Sequence, residues 1–299
     1  MRQKLLEEIC SLARIDDRIV LLTADLGFGV LDKFENEFPN RFFNVGVAEQ
    51  SMIATATGLA EAGFIPYCYS IATFASLRAL EFIRNGPVAH QLPVRIIGVG
   101  PGMDYGFDGL SHFAVDDISA LRSQPGLTIW APADDLEISL EIAQINEIKG
   151  PVYLRIPRNG SNCKAKRLRG DIPLGSKISI LSLGDAHTLG QTIFSEVALF
   201  TPEVSHAVVT RLDENCHELI SQHLSGSETC VVVENHYVTG GLSSLVSEAV
   251  ALNGLKVKVL PVGISTLPIG KLGSQSYLAE RFMTDLQSIY SEIKIRLKS

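Results

Sequence analysis

The feature that most constrains the fold is a regular alternation of short apolar runs with helical patterns. Apolar runs, which predict strands, include residues 18–23, 93–99, 152–156 and 178–183. Segments with helical spacing separate such runs and include 51–62, 76–85, 135–148 with Asp134 as its N-cap, 242–252 and a terminal helix from Gln275. Strands that are buried on both faces of a parallel sheet read as continuous apolar runs, and helices form the crossovers between them. The alternation therefore predicts an α/β protein built on doubly wound parallel sheets.

One interruption of this alternation divides the chain into two domains. Residues 166–176 are rich in Lys, Arg, Gly and Pro and contain few apolar residues, which is typical of a linker. We predict a first domain over residues 1–165, a linker over 166–176 and a second domain over 177–299. A length of 299 residues suits two domains of this size.

Charge and cysteine content disfavour several classes of protein. The formal net charge is −7 and no long basic run is present, which argues against nucleic acid as a partner because phosphate neutralisation needs clustered Lys and Arg. Five widely spaced cysteines without a CxxC pair indicate reduced thiols in a cytoplasmic protein. No apolar run approaches the ~20 residues of a membrane span.

Two side chains near the starts of predicted helices are candidates for chemistry. Glu49 opens a helix of small residues, where burial would raise the pKa of the carboxyl group and the helix dipole would oppose that shift. Phe74 stands just before another helix, where its ring can stack on a flat heterocycle. An ordinary capping carboxylate and an ordinary core phenylalanine would give the same local pattern.

Two further features lie at predicted carboxyl ends of strands, where open α/β sheets bind ligands. The loop over residues 104–112 carries Asp108 and His112, which suit contacts to a polar substrate, with His112 as an acid–base group. Arg155 and Arg158 suit a phosphate, sulfonate or carboxylate. A solvated turn and a solvated arginine pair at a domain boundary remain open as alternatives.

Together these features resemble the C-terminal half of a transketolase over nearly the whole chain. The segments that carry the resemblance are TADLG (23–27), RFFNVGVAEQ (41–50), TFASLRALE (73–81), DGLSH (108–112), DD (116–117), APAD (131–134), RIPR (155–158), VENH (233–236) and GGL (240–242). Each segment is weak alone, but the ordered set is specific. The resemblance implies a pyrimidine-binding domain for thiamine diphosphate, followed by a transketolase C-terminal domain.

The resemblance also implies which residues meet the cofactor. Glu49 would bond a ring nitrogen of the aminopyrimidine and favour the imino tautomer, whose exocyclic nitrogen deprotonates the thiazolium carbon. Phe74 would stack on the pyrimidine ring, and Asp25 and Arg78 would line the cofactor. Glu49 is therefore an expected catalytic residue.

On the substrate side, the resemblance assigns Asp108 and His112 to the hydroxyls of a donor sugar, with His112 as a second catalytic residue. Arg155 and Arg158 are the expected anion contacts. Sugar-phosphate enzymes of the family often have a His or Arg where this chain has Gly100-Pro101. This departure favours a non-phosphorylated or otherwise modified sugar.

Part of the family's cofactor site is missing from the sequence. The family holds the diphosphate through Mg²⁺ with a GDG motif in an N-terminal domain, and this sequence has no GDG. The expected partner is an N-terminal transketolase subunit that carries the diphosphate-binding domain and most of the Mg²⁺ site. We expect an α₂β₂ assembly, and no metal ligands in this chain.

The expected reaction is the transfer of a two-carbon ketol unit from a ketose to an aldehyde in carbohydrate metabolism. Two alternatives remain open. The β subunit of a 2-oxo acid dehydrogenase E1 shares the architecture, although the Asp108–His112 loop and the Phe74–Asn85 segment resemble transketolase more closely. A non-catalytic structural or regulatory subunit would keep the fold, but retention of Glu49, Phe74 and His112 argues against it.

Overall fold

In the computed structural model, which describes residues 1–168 and 174–297, two β-sheets are flanked by helices. Most of the first sheet comes from strands in the first half of the chain: β1 (Ile19–Thr23), β2 (Phe42–Asn44), β3 (Ile65–Ile71), β4 (Arg95–Val99), β5 (Thr128–Trp130) and β6 (Val152–Ile156). Their order is β5-β6-β4-β3-β1-β2, and every neighbouring pair is parallel. The predicted α/β class with parallel sheets is confirmed.

Helices cover both faces of this sheet. They are α1 (Arg2–Ala13), α2 (Asp32–Glu37), α3 (Glu49–Glu61), α4 (Leu80–Ile83), α5 (Asp117–Leu121) and α6 (Asp135–Asn146). Leu5 of α1 and Ile138 of α6 belong to the core of one face, whereas Met52 of α3 belongs to the core of the other. Asp134 caps α6 by accepting a hydrogen bond from the backbone N–H of Glu137 at 2.9 Å, as the sequence predicts.

The predicted helix over residues 76–85 is irregular in the structure. Phe74–Arg78 and Arg84–Val88 are single π-helical turns on either side of α4. Turns of this kind are rare and often occur at functional sites. The distortion shifts the side-chain positions of Phe74 and Arg78 away from those of a regular α-helix.

The second half of the chain supplies β7 (Lys166–Arg167), β8 (Ile178–Leu183), β9 (Val204–Val209), β10 (Arg211–Leu212), β11 (Thr229–Tyr237) and β12 (Lys258–Ile264). Five of these strands form the second, all-parallel sheet in the order β12-β11-β8-β9-β7. The helices of this half are α7 (His187–Ala198), α8 (Cys216–Leu224), α9 (Leu242–Leu252), α10 (Gln275–Phe282) and α11 (Leu286–Arg296). The single terminal helix expected from Gln275 is two helices, because Ser274 caps one and Asp285 caps the next.

Two short strands join the halves more closely than the sequence predicts. Within the predicted linker 166–176, β7 pairs with β9 and so belongs to the second sheet, while residues 169–173 lie outside the described residues. The strand β10 leaves the second half and pairs antiparallel with β5 at the edge of the first sheet. One cluster of buried side chains runs from Met52 in the first half to Val232 in the second.

The VENH and GGL segments form a helix cap in the second domain. The Glu234 carboxylate accepts hydrogen bonds from the backbone N–H groups of Leu242 and Ser243 at 2.7 and 2.9 Å, at the start of α9. A Cβ at Gly241 would collide with this carboxylate. These residues therefore have a structural role, in which a buried acid meets the positive end of a helix.

Over residues 1–168 and 174–297, no helix combines the length and apolar character needed to cross a bilayer. All five cysteines lie in this described part, and each is a free thiol.

Candidate active site

Glu49 is buried beside the carboxyl end of β3, with only 1% of its surface exposed. Its Oε1 accepts a hydrogen bond from the hydroxyl of Ser70 at 3.0 Å, and its Oε2 accepts one from Nη1 of Arg78 at 2.7 Å. Ser70 lies on β3, and Arg78 ends the first π-helical turn. The carboxylate is thus held by one neutral donor and one cation at the edge where open α/β sheets bind ligands.

The Arg78 guanidinium also lies over the ring of Phe74. Its central carbon is 4.0 Å from the ring centroid, and the side chain is 41% exposed. The planar guanidinium of Arg78 therefore contacts both the face of the Phe74 ring and the Glu49 carboxylate. An aminopyrimidine is likewise a flat ring with nitrogen atoms that bond a carboxyl group, so the same two side chains fit such a ring.

The loop after β4 brings His112 to the same place. We define the 102–114 loop by its base, where Gly102 and Ala114 exchange backbone hydrogen bonds of 2.8 and 2.9 Å. The His112 ring lies edge-on to Phe74 with a centroid distance of 5.1 Å, and its Nδ1 is 3.0 Å from the hydroxyl of Ser111. Asp108 is exposed on this loop. The structure thus places His112 against the proposed stacking residue and Asp108 towards solvent.

Asp25 lies on the exposed edge that follows β1. Its φ of 56° is in the left-handed region, which Asp tolerates better than most residues. Asn44 donates from Nδ2 to the Asp25 carboxylate at 3.1 Å and accepts from the N–H groups of Asp25 and Gly46 at 3.1 and 3.0 Å. This network connects the Asp25 turn to the segment that leads into Glu49.

Arg158 lies beside the 102–114 loop and retains hydrogen-bonding capacity. Its guanidinium carbon is 4.6 Å from the ring centroid of Tyr105, and its Nε is buried without a hydrogen-bond partner in the described part of the chain. Its backbone N–H donates to Asp104 at 3.1 Å, and burial raises the pKa of Asp104 to about 6. Arg158 is therefore the better placed of the two predicted anion contacts.

Arg155 does not face the site, which corrects its assignment as a substrate contact. Its side chain is fully buried and donates to Asp117 at 2.9 Å and to Asp185 at 3.2 Å. A further hydrogen bond of 2.8 Å reaches the backbone oxygen of Asn235 in the second domain. Burial opposes its charge, but the two carboxylates outweigh burial and raise the pKa of Arg155. The alternative of a solvated arginine pair is also wrong for Arg155, because this side chain is buried where it joins the two domains.

Three residues of this region were missed by the reasoning from sequence. Ser70 contacts Glu49, while Asp104 and Tyr105 contact Arg158. Each follows or ends an apolar strand, and that position is the signal that could have indicated them. Tyr105 also explains Gly100, since a Cβ there would collide with the tyrosine ring.

Metal-binding capacity is low in the part of the chain that the structure describes. Over residues 1–168 and 174–297, no group of three or more His, Cys, Asp or Glu side chains could hold a metal ion. Glu49 and Phe74 therefore fit the pyrimidine ring of the expected cofactor, while the described residues contain no such group of ligands for its Mg²⁺.

Known proteins with similar sequences point to one family. The sequence profile of the transketolase pyrimidine-binding domain matches residues 1–162. A protein from Methanocaldococcus jannaschii, provisionally named transketolase C-terminal section, is 35% identical over all of this chain and 96% of its own length. This chain belongs to the transketolase family. The predicted resemblance is thereby confirmed.

Two other relatives within the transketolase family are named for different activities. A 6-deoxy-6-sulfo-D-fructose transketolase subunit from a Clostridium species is 30% identical over 94% of this chain and 89% of its own length. A 1-deoxy-D-xylulose-5-phosphate synthase from Methylacidiphilum infernorum is 30% identical over 86% of this chain, which spans 42% of that enzyme.

A solved structure agrees with the family assignment. A split gene transketolase, described as an inactive beta4 tetramer, superposes with a TM-score of 0.82 and 28% identity, covering 94% of this chain and 92% of that one.

Proposed function

We propose that this chain is the β-type subunit of a two-chain transketolase that transfers a two-carbon ketol unit from a ketose to an aldehyde. The observation that supports the proposal is the buried Glu49 carboxylate. It accepts a hydrogen bond from the Arg78 guanidinium, which also lies over the ring of Phe74. Bound thiamine diphosphate supplies a carbon nucleophile that cleaves the bond beside a ketose carbonyl. A transferase function also agrees with the transketolase relatives.

Glu49 holds and moves a proton at a ring nitrogen of the aminopyrimidine. Its burial excludes water from the carboxylate, which strengthens that hydrogen bond. Ser70 fixes one carboxylate oxygen, so the other oxygen, now bonded to Arg78, is the one that can turn to the ring. Phe74 binds the ring face by stacking, and Arg78 and Asp25 line the cofactor.

On the substrate side, His112 and Asp108 contact the hydroxyls of the donor sugar, and His112 donates or accepts a proton there. Arg158 contacts the far end of a substrate that carries an anion there. We propose a non-phosphorylated or modified sugar. Two observations support this: Tyr105 covers Gly100, where sugar-phosphate enzymes often have a cation, and a related subunit is named for a sulfonated fructose.

The partner in this proposal is an N-terminal transketolase subunit in an α₂β₂ assembly, which supplies the diphosphate-binding domain and the Mg²⁺ ligands. Large apolar side chains are exposed on the loops that surround the site. Phe28 is 78% exposed, and Val47 and Phe107 are each 73% exposed. Apolar patches of this kind mark surfaces that a partner buries. A relative named as a C-terminal section agrees with such a partner.

Calorimetric titration of thiamine diphosphate with Mg²⁺ tests the proposal. The titration is made on this chain alone and on the complex purified after co-expression with a candidate N-terminal subunit from a neighbouring gene. We expect binding only to the complex, because the sequence has no GDG motif to hold the diphosphate. Binding to this chain alone with similar affinity would contradict the two-chain site, and binding to neither would contradict the catalytic proposal.

The reaction itself is tested with two donors on the same complex. Hydroxypyruvate, a simple two-carbon ketol donor, should be consumed when an aldehyde acceptor is present. Pyruvate-dependent reduction of a dye would instead indicate a 2-oxo acid dehydrogenase E1 and overturn the transketolase assignment.

A further inference from the structure

Three glycines of the 102–114 loop lie against the second domain. A Cβ at Gly102 would come within 2.9 Å of the backbone oxygen of Asn235, and one at Gly109 within 3.0 Å of Leu272. A Cβ at Gly106 would collide with the backbone oxygen of Gly273. At Gly102 and Gly106, the loop therefore lies too close to the backbone of the second domain to carry a side chain.

Other residues of the same loop reach the candidate active site. Tyr105 lies 4.6 Å from the Arg158 guanidinium, and His112 lies 5.1 Å from Phe74. The glycines of the loop thus allow close approach of the second domain, and neighbouring positions of the loop carry the functional side chains. Contact of the glycines with the second domain therefore fixes the position of Tyr105 and His112 at the candidate active site.

Specific bonds hold this docking in place. The backbone N–H of Gly273 donates to the oxygen of Gly106 at 3.0 Å. At the base of the loop, the Arg155 guanidinium donates to the backbone oxygens of both Ala114 and Asn235, at 3.4 and 2.8 Å. The loop is therefore tied to the second domain near its middle and at its base.

A small apolar cluster lies beneath the loop. Leu278 of α10 is fully buried and belongs to one cluster with Met103 and Phe113, which are loop residues, and with Ile264 of β12. Its side chain also lies close to Gly106. Phe113 thereby links the end of the loop to the second domain.

We propose that the second domain positions the 102–114 loop for the reaction, with Leu278 as the principal positioning residue. This inference rests on the proposed function, because it assigns Leu278 an effect on donor binding through His112 and Asp108. The second domain thereby sets the geometry of the donor site without touching the substrate.

Two matched substitutions separate positioning from general stability. Leu278→Ala removes the support beneath the loop. Leu224→Ala makes the same truncation at an equally buried leucine of α8, in another cluster of the same domain. We expect both variants to lower the melting temperature by similar amounts. Amide hydrogen exchange of the peptide spanning residues 102–114 should become about tenfold faster in Leu278→Ala only.

Kinetics of the two-subunit complex supply the functional readout. With hydroxypyruvate as the donor probe, Leu278→Ala should raise KM about tenfold with a smaller change in kcat, because a mobile loop binds the donor less well. Leu278→Met, which restores apolar volume, should recover most of the parent KM. Thiamine diphosphate affinity should stay unchanged in all variants, since Glu49 and Phe74 lie outside this cluster.

Each outcome has one meaning. Equal loop exchange and equal KM in Leu278→Ala and Leu224→Ala would overturn the positioning role. Failure of the parent complex to bind thiamine diphosphate or use hydroxypyruvate would overturn the proposed function instead. In that case, the exchange comparison still decides whether Leu278 orders the loop.

Discussion

Arg78 donates a 2.7 Å hydrogen bond to the buried carboxylate of Glu49. The same guanidinium covers the ring of Phe74, so the two side chains proposed to hold the pyrimidine are joined by one residue. Arg78 is substantially exposed while Glu49 is not, so Arg78 can move into solvent without opening the core. A flat ring that stacked on the face of Phe74 covered by Arg78 would displace this exposed side chain and leave the backbone in place.

Replacement of the Glu49 carboxylate tests the proposed proton path. We expect Glu49→Gln to lower kcat of the two-subunit complex by about a thousandfold, because an amide cannot take up and release the proton at the pyrimidine nitrogen. The amide keeps the shape of the side chain and can still accept from Ser70, so the urea unfolding midpoint should change little. Residual activity above about a tenth of the parent value would contradict the role of Glu49.

Loss of the aromatic face at Phe74 should weaken cofactor binding. Phe74→Leu keeps an apolar side chain but removes the stacking surface, so we expect the Kd for thiamine diphosphate to rise by about three- to tenfold. Calorimetric titration of the complex measures the change. Phe194→Leu, at a partly buried phenylalanine of α7, is the matched control and should leave Kd unchanged. An equal change in both variants would contradict stacking at Phe74.

Arg158 should distinguish donors by their terminal group. We expect Arg158→Met to raise KM about tenfold for fructose 6-phosphate and for 6-deoxy-6-sulfofructose, but to affect fructose little, because only the first two present an anion. Arg158→Lys keeps the charge and should recover part of the loss. Steady-state kinetics with the three ketoses measure this, and a uniform rise in KM would argue against an anion contact.

Arg155 should matter for stability rather than for substrate binding. Arg155→Met leaves Asp117 buried without a cation, and we expect the free energy of unfolding to fall by about 3–5 kcal/mol. Adding Asp117→Asn removes the unpaired charge and should restore part of the loss. Urea denaturation measures both variants. An unchanged unfolding midpoint together with a raised substrate KM would return Arg155 to the substrate site.

Asp104 should make stability depend on pH. Because burial raises its pKa to about 6 in the folded chain, the folded state binds this proton more tightly than the unfolded state. Its contribution to stability is therefore unchanged below pH 4, falls as pH rises from about 4 to about 6, and is constant above that.

Asp104→Asn removes this ionisation and tests the assignment. Relative to the parent, we expect the variant to gain about 2–3 kcal/mol between pH 4 and pH 7, as measured by urea denaturation at each pH. Asp108→Asn is the control for loss of one negative charge on the same loop, at an exposed position. A stability difference that does not vary between these pH values would contradict the effect of burial at Asp104.

Local patterns in the sequence were enough to predict the class of fold and most of its elements. The strand Ile178–Leu183 and the helix Leu242–Leu252 begin and end where predicted, because apolar runs and helical spacing report the backbone directly. The Asp134 cap follows from a carboxylate placed just before a helix. The irregular segment Phe74–Val88 could not be predicted in this way, since π-helical turns have no comparable spacing signal.

The sequence by itself determined the α/β class, the order of the strands along the chain and the family to which the chain belongs. Only the tertiary structure decided which residues meet. It brings Glu49, Phe74 and His112 together from three elements, and it buries Arg155 between the domains while leaving Arg158 beside the 102–114 loop. Both arginines lie at the carboxyl end of β6, and their local sequence does not indicate which of them becomes buried. What separates them is the second domain, which packs over one guanidinium and supplies it with Asp185 and the backbone of Asn235.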